Sequence, residues 1–309
     1  MPTRTAAPGR PENDTSGRRK RRTVLPPEEL IHPDLDRFGV IIVNSSGGKD
    51  SLATLDVVTA AARGASVLDR VVVLHCDLGA VEWPGAAQLA AAQAAHYGVR
   101  FEVRRHPVGL LDLIRRRGRW PAPHARYCTS TTKRQPARAF MTELVASHQG
   151  DNGGRLNSPL WILNCLGTRA EESTARARRP AFVFDAAASN HTRRKVWTWL
   201  PVHDWTEAQV WDRIRHSGAP AHPAYQLGMR RLSCSLCPLA ARADLVRACQ
   251  LRPDLAAAYL DVETETGQPF RPGLALRDVY AEAAATSGPD DPINTGIPVE
   301  RTLAYAGRW

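Results

Sequence analysis

The sequence predicts an α/β fold, a doubly wound parallel sheet with a helical C-terminal part carrying a Cys-x-x-Cys pair. Three observations carry this expectation. β-Branched or apolar runs of strand length recur at 39–44, 69–77, 99–104 and 160–166. Stretches of helical composition separate them, and alternation of strand and helix is the pattern of a parallel sheet. The first run also leads through a Gly-Gly pair straight into a helix, which places a turn where such sheets bind ligands, beyond the carboxyl ends of the strands.

In chain order, Gly39 to Asn44 reads as the first buried strand and Leu52 to Val58 as the apolar part of the helix behind it. Asp69 to Asp77 is the second strand and ends in a carboxylate. An Ala-rich helix runs from Gly85 to Tyr97 and stops at Gly98. Val99 to Arg104 is the third strand, Gln135 to His148 a helix, 152–159 a loop and Leu160 to Leu166 the fourth core strand. The pattern weakens from Arg176 to Asn190, and an irregular stretch is expected there. Lys195 to Pro201 gives a short strand, and Thr206 caps a helix that reaches His216 and closes at Gly218. Helices fill most of 238–287, the last twenty residues are loop-like, and there is no internal repeat. The expected organisation is a disordered basic tail over 1–30, a nucleotide-binding α/β domain over 31–235 and a helical extension over 236–309.

A chain of 309 residues buries a full core. Six cysteines are too few for a disulfide scaffold and point to a reduced chain, so a cytoplasmic location is expected. No apolar run of about 18 residues exists to span a membrane, and no apolar segment follows the N-terminal arginines as a signal peptide requires. Half of the net charge of +10 sits in residues 1–22, where seven Lys and Arg oppose Glu12 and Asp14. Such a tail can serve as an arm for nucleic-acid phosphates or as a solvated extension, and its composition leaves both open.

Residues 45–51 read Ser-Ser-Gly-Gly-Lys-Asp-Ser. Glycines at a strand-to-helix turn let backbone N–H groups close around phosphate oxygens, and the helix N-terminus adds partial positive charge. This is not the Walker loop, because Asp50 follows the lysine. The segment resembles the PP-loop, Ser-Gly-Gly-x-Asp-Ser, of the N-type ATP pyrophosphatases, which hold the pyrophosphate of ATP there and often adenylate a substrate. Further downstream, Cys234-Ser235-Leu236-Cys237 sets two thiols three residues apart, a spacing that serves a metal, an iron–sulfur cluster, a redox pair or two packed thiols. Cys128 stands in Cys128-Thr129-Ser130-Thr131-Thr132-Lys133. Asp77-Leu78-Gly79, the segment Gly167 to Ser173 with Arg169 inside it, and the run from Trp199 to Tyr225 complete the set.

Jointly, over residues 38–245, these motifs resemble the phosphoadenosine phosphosulfate reductase family in its broad sense, with its DNA-phosphorothioation and sulfur-transfer relatives. The thiol-dependent reductases of that family end in a Glu-Cys-Gly-Leu-His motif, whereas here no cysteine follows Cys249. Relatives that reduce adenosine phosphosulfate with a four-iron cluster have adjacent cysteines where this chain has Tyr127 and Cys128. The resemblance therefore implies a [4Fe-4S] cluster held by the three thiolates of Cys128, Cys234 and Cys237. Zn²⁺ on the same thiolates plus His222 is the competing expectation. Cys76, Cys165 and Cys249 lie in apolar segments and read as packed thiols.

On this resemblance, Ser46, Gly47, Gly48 and Ser51 hold the β- and γ-phosphates of ATP, and Lys49 stabilises the leaving pyrophosphate. Gly167 and Arg169 complete the nucleotide site. Asp50 and Asp77 are candidates for Mg²⁺, with capping of a helix or turn as the other reading. Lys133, Arg134, Arg169, Arg230 and Arg231 are expected to gather as an anionic-substrate patch. Trp197, Trp199, Trp205 and Trp211 are expected to pack together, one of them free to stack on a base. The expected activity is adenylation of a nucleic acid or nucleotide-like substrate followed by sulfur transfer. Its partners are the nucleotide, nucleic acid, and a sulfur-donor or redox protein, in a homo-oligomer or larger complex. Sulfonucleotide reduction and a non-catalytic nucleotide-binding subunit are the alternatives.

Overall fold

A computed structural model describes residues 33–151, 158–190 and 192–286. The basic tail, the segment 152–157 and the residues from 287 onward lie outside the described residues. The strands are β1 (Val40–Ser45), β2 (Val71–Asp77), β3 (Arg100–Arg105), β4 (Leu160–Leu166), β5 (Phe182–Phe184) and β6 (Arg194–Trp199). Among the described residues they form one sheet in the order β3-β2-β1-β4-β6-β5. All neighbours pair in parallel except β5, which runs antiparallel to β6. The expected doubly wound parallel sheet is present. The order reverses direction between β1 and β4, and a crevice opens at such a switch point outside the carboxyl ends of the two strands.

Helices cover both faces. On one side α1 (Lys49–Gly64), α2 (Ala86–Tyr97) and α7 (Glu207–Ser217) bury Leu52, Leu55, Ala94, Val210 and Ile214 against Ile41, Val43, Val73 and Leu163. On the other, α5 (Gln135–Asp151) sets Phe140, Met141 and Leu144 against Ile42, Val72, Leu74 and Ile162. Ile41 and Ile42 thus point to opposite faces, as the two-residue strand period requires. The expected stops are in place: Gly98 and Gly218 close α2 and α7 in left-handed conformation, with φ of 70° and 67°. Thr206 caps α7 in a reciprocal box with Gln209.

A third core joins α3 (Leu110–Arg117) to the C-terminal helices α8 (Arg242–Leu251), α9 (Pro253–Thr266) and α10 (Leu276–Thr286). Trp83, Trp120 and Tyr127 pack there with Leu245, Tyr259 and Phe270. No helix among the described residues is long and apolar enough to cross a membrane.

The structure corrects two sequence expectations. The stretch 176–190 is not wholly irregular. It holds the end of a one-turn helix, α6 (Thr174–Ala177), and the edge strand β5. Phe182 and Phe184, two residues apart on one face, meet Trp197 with ring centroids 5.2 Å away in each case. A three-residue strand is too short to show periodicity, and its partner across the ladder stabilises it. Helix α3 was also absent from the sequence reading, although Leu110, Leu113 and Ile114 occupy one buried face between Gly109 and Gly118.

Candidate functional site

Ser46 to Gly48 join β1 to α1 at the switch point. Gly47 has φ +71°, and a Cβ there would stand 3.0 Å from the carbonyl oxygen of Ala86, so the turn requires glycine on both conformational and steric grounds. Gly48 is the residue before α1 and brings no side-chain cap. The backbone N–H groups of Gly48, Asp50 and Ser51 consequently have no acceptor among the described residues. Three free donors at a helix N-terminus make an anion cradle. Ser51 braces this turn: its hydroxyl donates to the Gly48 carbonyl at 2.8 Å and accepts from the Ser46 N–H at 3.3 Å. Ser46 Oγ makes no hydrogen bond within the described protein.

Lys49 is only 2 % exposed. Its Nζ donates to the Arg230 carbonyl at 2.9 Å and lies 3.7 Å from Asp50 and 3.6 Å from Glu207. The Tyr225 ring is 5.5 Å from the same Nζ, and its hydroxyl accepts from the Lys49 N–H at 2.9 Å. Asp50 makes no capping bond. Its Oδ1 accepts from Arg169 Nε at 2.6 Å, and Arg169, 3 % exposed, also donates to Glu171. Behind this network Gly167 presses on α1, where a Cβ would fall 2.6 Å from the Asp50 carbonyl oxygen and 2.9 Å from the Ser51 nitrogen. Arg169 is therefore a buried brace under the turn and not a member of a surface patch.

Asp77 accepts from the Gly79 N–H at 2.7 Å, and Arg105 lies 3.7 Å away. Beside it, fully buried His75 bridges the Ser45 carbonyl at 3.0 Å and Glu82 at 3.1 Å. Burial lowers the His75 pKa, but Glu82 and the Ser45 carbonyl outweigh it, and the net shift is upward from 6.5. A raised folded pKa gives stability that is fully present below pH 6.5 and lost as pH rises through the folded value. The melting temperature should therefore fall as pH rises above 6.5, and His75→Gln should flatten that part of the profile. An unchanged profile in the variant would assign the dependence to other groups.

Cys128 belongs to α4 (Tyr127–Thr129), which continues through a π-helical turn, Ser130–Arg134, into α5. Cys234 and Cys237 lie in the loop before α8. The three thiols share one neighbourhood: Cys237 and Cys128 both act electrostatically on Cys234, and all three act on Tyr259. Burial first, then Cys237, pushes the Cys234 thiol up to about 12. Among the described residues no three Cys, His, Asp or Glu side chains converge closely enough to hold a single metal ion. Near them stands a buried polar atom with no hydrogen-bond partner among the described residues, the Tyr259 hydroxyl. Three thiols in the neighbourhood of an unpartnered O–H fit a sulfur-rich group that accepts a hydrogen bond. His222 is not available to zinc, since Nδ1 accepts from the Ala224 N–H at 3.1 Å and Nε2 bonds the Pro84 carbonyl at 3.1 Å. Cys165 and Cys249 are buried in cores, and Cys76 donates to the Lys133 carbonyl at 3.5 Å.

The cysteine loop and the Gly-Gly turn are adjacent. A Cβ on Gly48 would lie 3.2 Å from Cβ of Leu232, two residues before Cys234. Of the residues expected to form a basic patch, Arg169 is buried, and the others have the following surroundings. Lys133 acts on Cys76 and Cys234, Arg230 pairs with Asp244 at 3.2 Å, and Arg231 reaches Glu172 at 3.3 Å. Arg134 is exposed and acts electrostatically on Arg179. Tyr225, His75, Glu82, Glu207 and Tyr259 escaped the sequence reading. Tyr225 alone left a signal, its place inside the Pro220–Tyr225 motif. Trp199 is buried in the core of the α1 face, with Trp197, Trp205 and Trp211 packed around it.

A family model described as phosphoadenosine phosphosulfate reductase domain matches residues 40–240. The adenosine 5′-phosphosulfate reductase of Allochromatium vinosum is 29 % identical over 147 residues, which cover 46 % of this chain and 48 % of that protein. An uncharacterized 37.8 kDa protein of Escherichia phage 186 is 28 % identical over 153 residues, 50 % of this chain and 42 % of its own. The chain thus spans under half of the length of these relatives. Among solved structures, the phosphoadenylyl-sulfate reductase of Candida auris in its phosphate complex gives a TM-score of 0.41 at 18 % identity. That alignment covers 68 % of this chain and 88 % of that one.

Proposed function

Because the chain belongs to the phosphoadenosine phosphosulfate reductase family, we propose that it is an ATP-dependent enzyme that adenylates an oxygen of its substrate and replaces it with sulfur. One observation carries this reading: an anion cradle with three free N–H donors abuts the loop that bears Cys234 and Cys237. In the first step the substrate oxygen attacks the α-phosphorus of ATP, and the bond to the β-phosphate breaks. The N–H groups of Gly48, Asp50 and Ser51 hold the departing pyrophosphate, and Lys49 neutralises the charge that grows on it. In the second step a sulfur nucleophile at the hydrosulfide level, from a donor protein or from hydrosulfide itself, displaces AMP at carbon. Oxygen leaves with AMP, sulfur takes its place, and no net electrons move.

Cys128, Cys234 and Cys237 would hold a [4Fe-4S] cluster. A cluster on three protein thiolates leaves one iron open to an exogenous sulfur ligand, and that is the chemistry it supplies when bound. Zn²⁺ on the same three thiolates would need a fourth ligand other than His222, both of whose ring nitrogens are already hydrogen-bonded. Mg²⁺ would enter with ATP, and Asp77 at the strand end is a candidate ligand for it.

The test is calorimetric binding of MgATP and of phosphoadenosine phosphosulfate to anaerobically purified protein, with pyrophosphate release then assayed over RNA and DNA. The expected result is preference for ATP and pyrophosphate release that requires a nucleic acid. Preference for the sulfonucleotide with no pyrophosphate release would overturn the proposal. It would favour reduction of a sulfonucleotide, the reading that the likeness to an adenosine phosphosulfate reductase supports.

A further inference from the structure

The two edges of the sheet differ in character. On β3, Glu102 pairs with Arg100 and Arg104, and Arg104 pairs further with Glu143 and covers the Phe140 ring at 4.6 Å. Charge of this kind keeps other strands from adding to an edge. The opposite edge, β5, reads Phe182-Val183-Phe184 and carries no charge, with Val183 41 % and Phe184 37 % exposed. Toward β6 its backbone is engaged at alternate residues. The Leu200 N–H donates to the Ala181 carbonyl at 2.7 Å, and the Asp185 N–H donates to the Val196 carbonyl at 2.9 Å. In an antiparallel ladder that alternation assigns Val183 to β6 as well, and it turns the N–H and C=O groups of Phe182 and Phe184 outward. Among the described residues these outward groups have no partner.

We propose that β5 is the pairing edge of a homodimer, in which β5 of a second copy adds antiparallel about Val183 and joins the two sheets into one. The strand is a palindrome, and that selects a second copy over a foreign strand. In a two-fold pairing about Val183, Phe182 lies opposite Phe184 of the second copy, so the outward groups of both residues are satisfied together. A register shifted by two residues satisfies only one of them, and a shift of one satisfies neither. Side chains agree with the same register. Phe182 and Phe184, which both meet Trp197, continue that aromatic face across the junction. On the other face Val183 meets Val183 of the second copy, in the non-hydrogen-bonded position where side chains stand closest.

The flanking charges are complementary in the antiparallel sense. Arg178 and Arg179 precede the strand and are exposed, Asp185 follows it, and none of the three has an ion-pair partner among the described residues. Antiparallel pairing turns the basic flank of each copy toward the acidic flank of the other, whereas parallel pairing sets like against like. Two three-residue strands alone bury less than the about 1,200–2,000 Å² of a stable interface, so the dimer forms reversibly with concentration. Strands β4 and β6 stand between this edge and β1, and the inference is independent of the adenylating reading.

The test is sedimentation velocity of the full chain over a wide range of concentration. The parent is expected to pass from monomer to twice the monomer mass as concentration rises. V183K and V183E are each expected to stay monomeric where the parent is dimeric, because like charges then stand directly opposite. An equimolar mixture of the two is expected to recover the dimer. V103K, which adds the same charge at the exposed Val103 of β3, keeps the parent behaviour. A parent that is monomeric at every concentration overturns the inference and leaves the edge to a different strand. A dimer that persists in V183K and V183E overturns it by placing the contact elsewhere. So does a mixture that stays monomeric although both variants melt like the parent by circular dichroism. Where the charged variants melt early, V183C decides. The opposed Cβ atoms are within reach of a disulfide, so mild oxidation should crosslink this variant and not the parent on a non-reducing gel. Absence of the crosslink overturns the inference.

Discussion

Gly167→Ala is expected to lower pyrophosphate release by on the order of 100-fold while leaving the chain folded. The added methyl group meets backbone and not a flexible side chain. Its nearest atoms are the Asp50 carbonyl oxygen at 2.6 Å, the Asp50 carbonyl carbon at 2.7 Å and the Ser51 nitrogen at 2.9 Å. Neither β4 nor α1 can rotate out of the way, so the first turn of α1 must shift. Overpacking of this kind costs about 1–3 kcal/mol, which a domain of this size survives. The same shift moves the free N–H groups of Asp50 and Ser51 away from the phosphate oxygens they would meet. Gly64→Ala in the same helix is the matched control, because nothing lies within 4 Å of a Cβ there. Circular dichroism melting and pyrophosphate release on the two variants check the expectation. Parent-like release in Gly167→Ala would show that the first turn of α1 does not hold the nucleotide.

Lys49→Ala is expected to reduce pyrophosphate release by about 100–1,000-fold, with a much smaller change in ATP affinity. The reason lies in when the charge is needed. Bound ATP already has the backbone donors, whereas the extra negative charge appears on the bridging oxygen as the α–β bond breaks. Only a mobile cation can follow it, and Lys49 is the cation at the turn. In the nucleotide-free chain that cation is drawn back by the Arg230 carbonyl, Asp50 and Glu207. Substitution also leaves Asp50 with Arg169 as its remaining counter-charge, so a modest loss of thermal stability should accompany the kinetic one. Single-turnover assays with radiolabelled ATP separate binding from bond cleavage. Equal losses in affinity and rate would mean that Lys49 only binds the nucleotide.

The sheet, the Gly-Gly turn and the capped helices α2 and α7 were legible because short-range chemistry determines them. β-Branched runs, a Gly-Gly pair and a Thr-x-x-Gln box act within a few residues. The three cysteines were legible as candidates because of their motif context. What escaped depends on partners far along the chain. Arg169 looked like a substrate ligand until its carboxylate, Asp50, was placed 119 residues away in sequence. Tyr225 supplies a hydroxyl to a turn 176 residues upstream. Residue type and spacing say which groups are capable of a role, and the crossovers of the sheet decide which of them meet.

The unpartnered Tyr259 hydroxyl has a consequence for the stability of the protein. An interior O–H without an acceptor costs about 1–3 kcal/mol, and it stands in the core where Trp120 and Phe270 stack around the same ring. Among the described residues no side chain offers that acceptor. A group held by Cys128, Cys234 and Cys237 that accepted this O–H would couple its own binding to the stability of the C-terminal helices, because binding to the folded chain alone adds to folding stability.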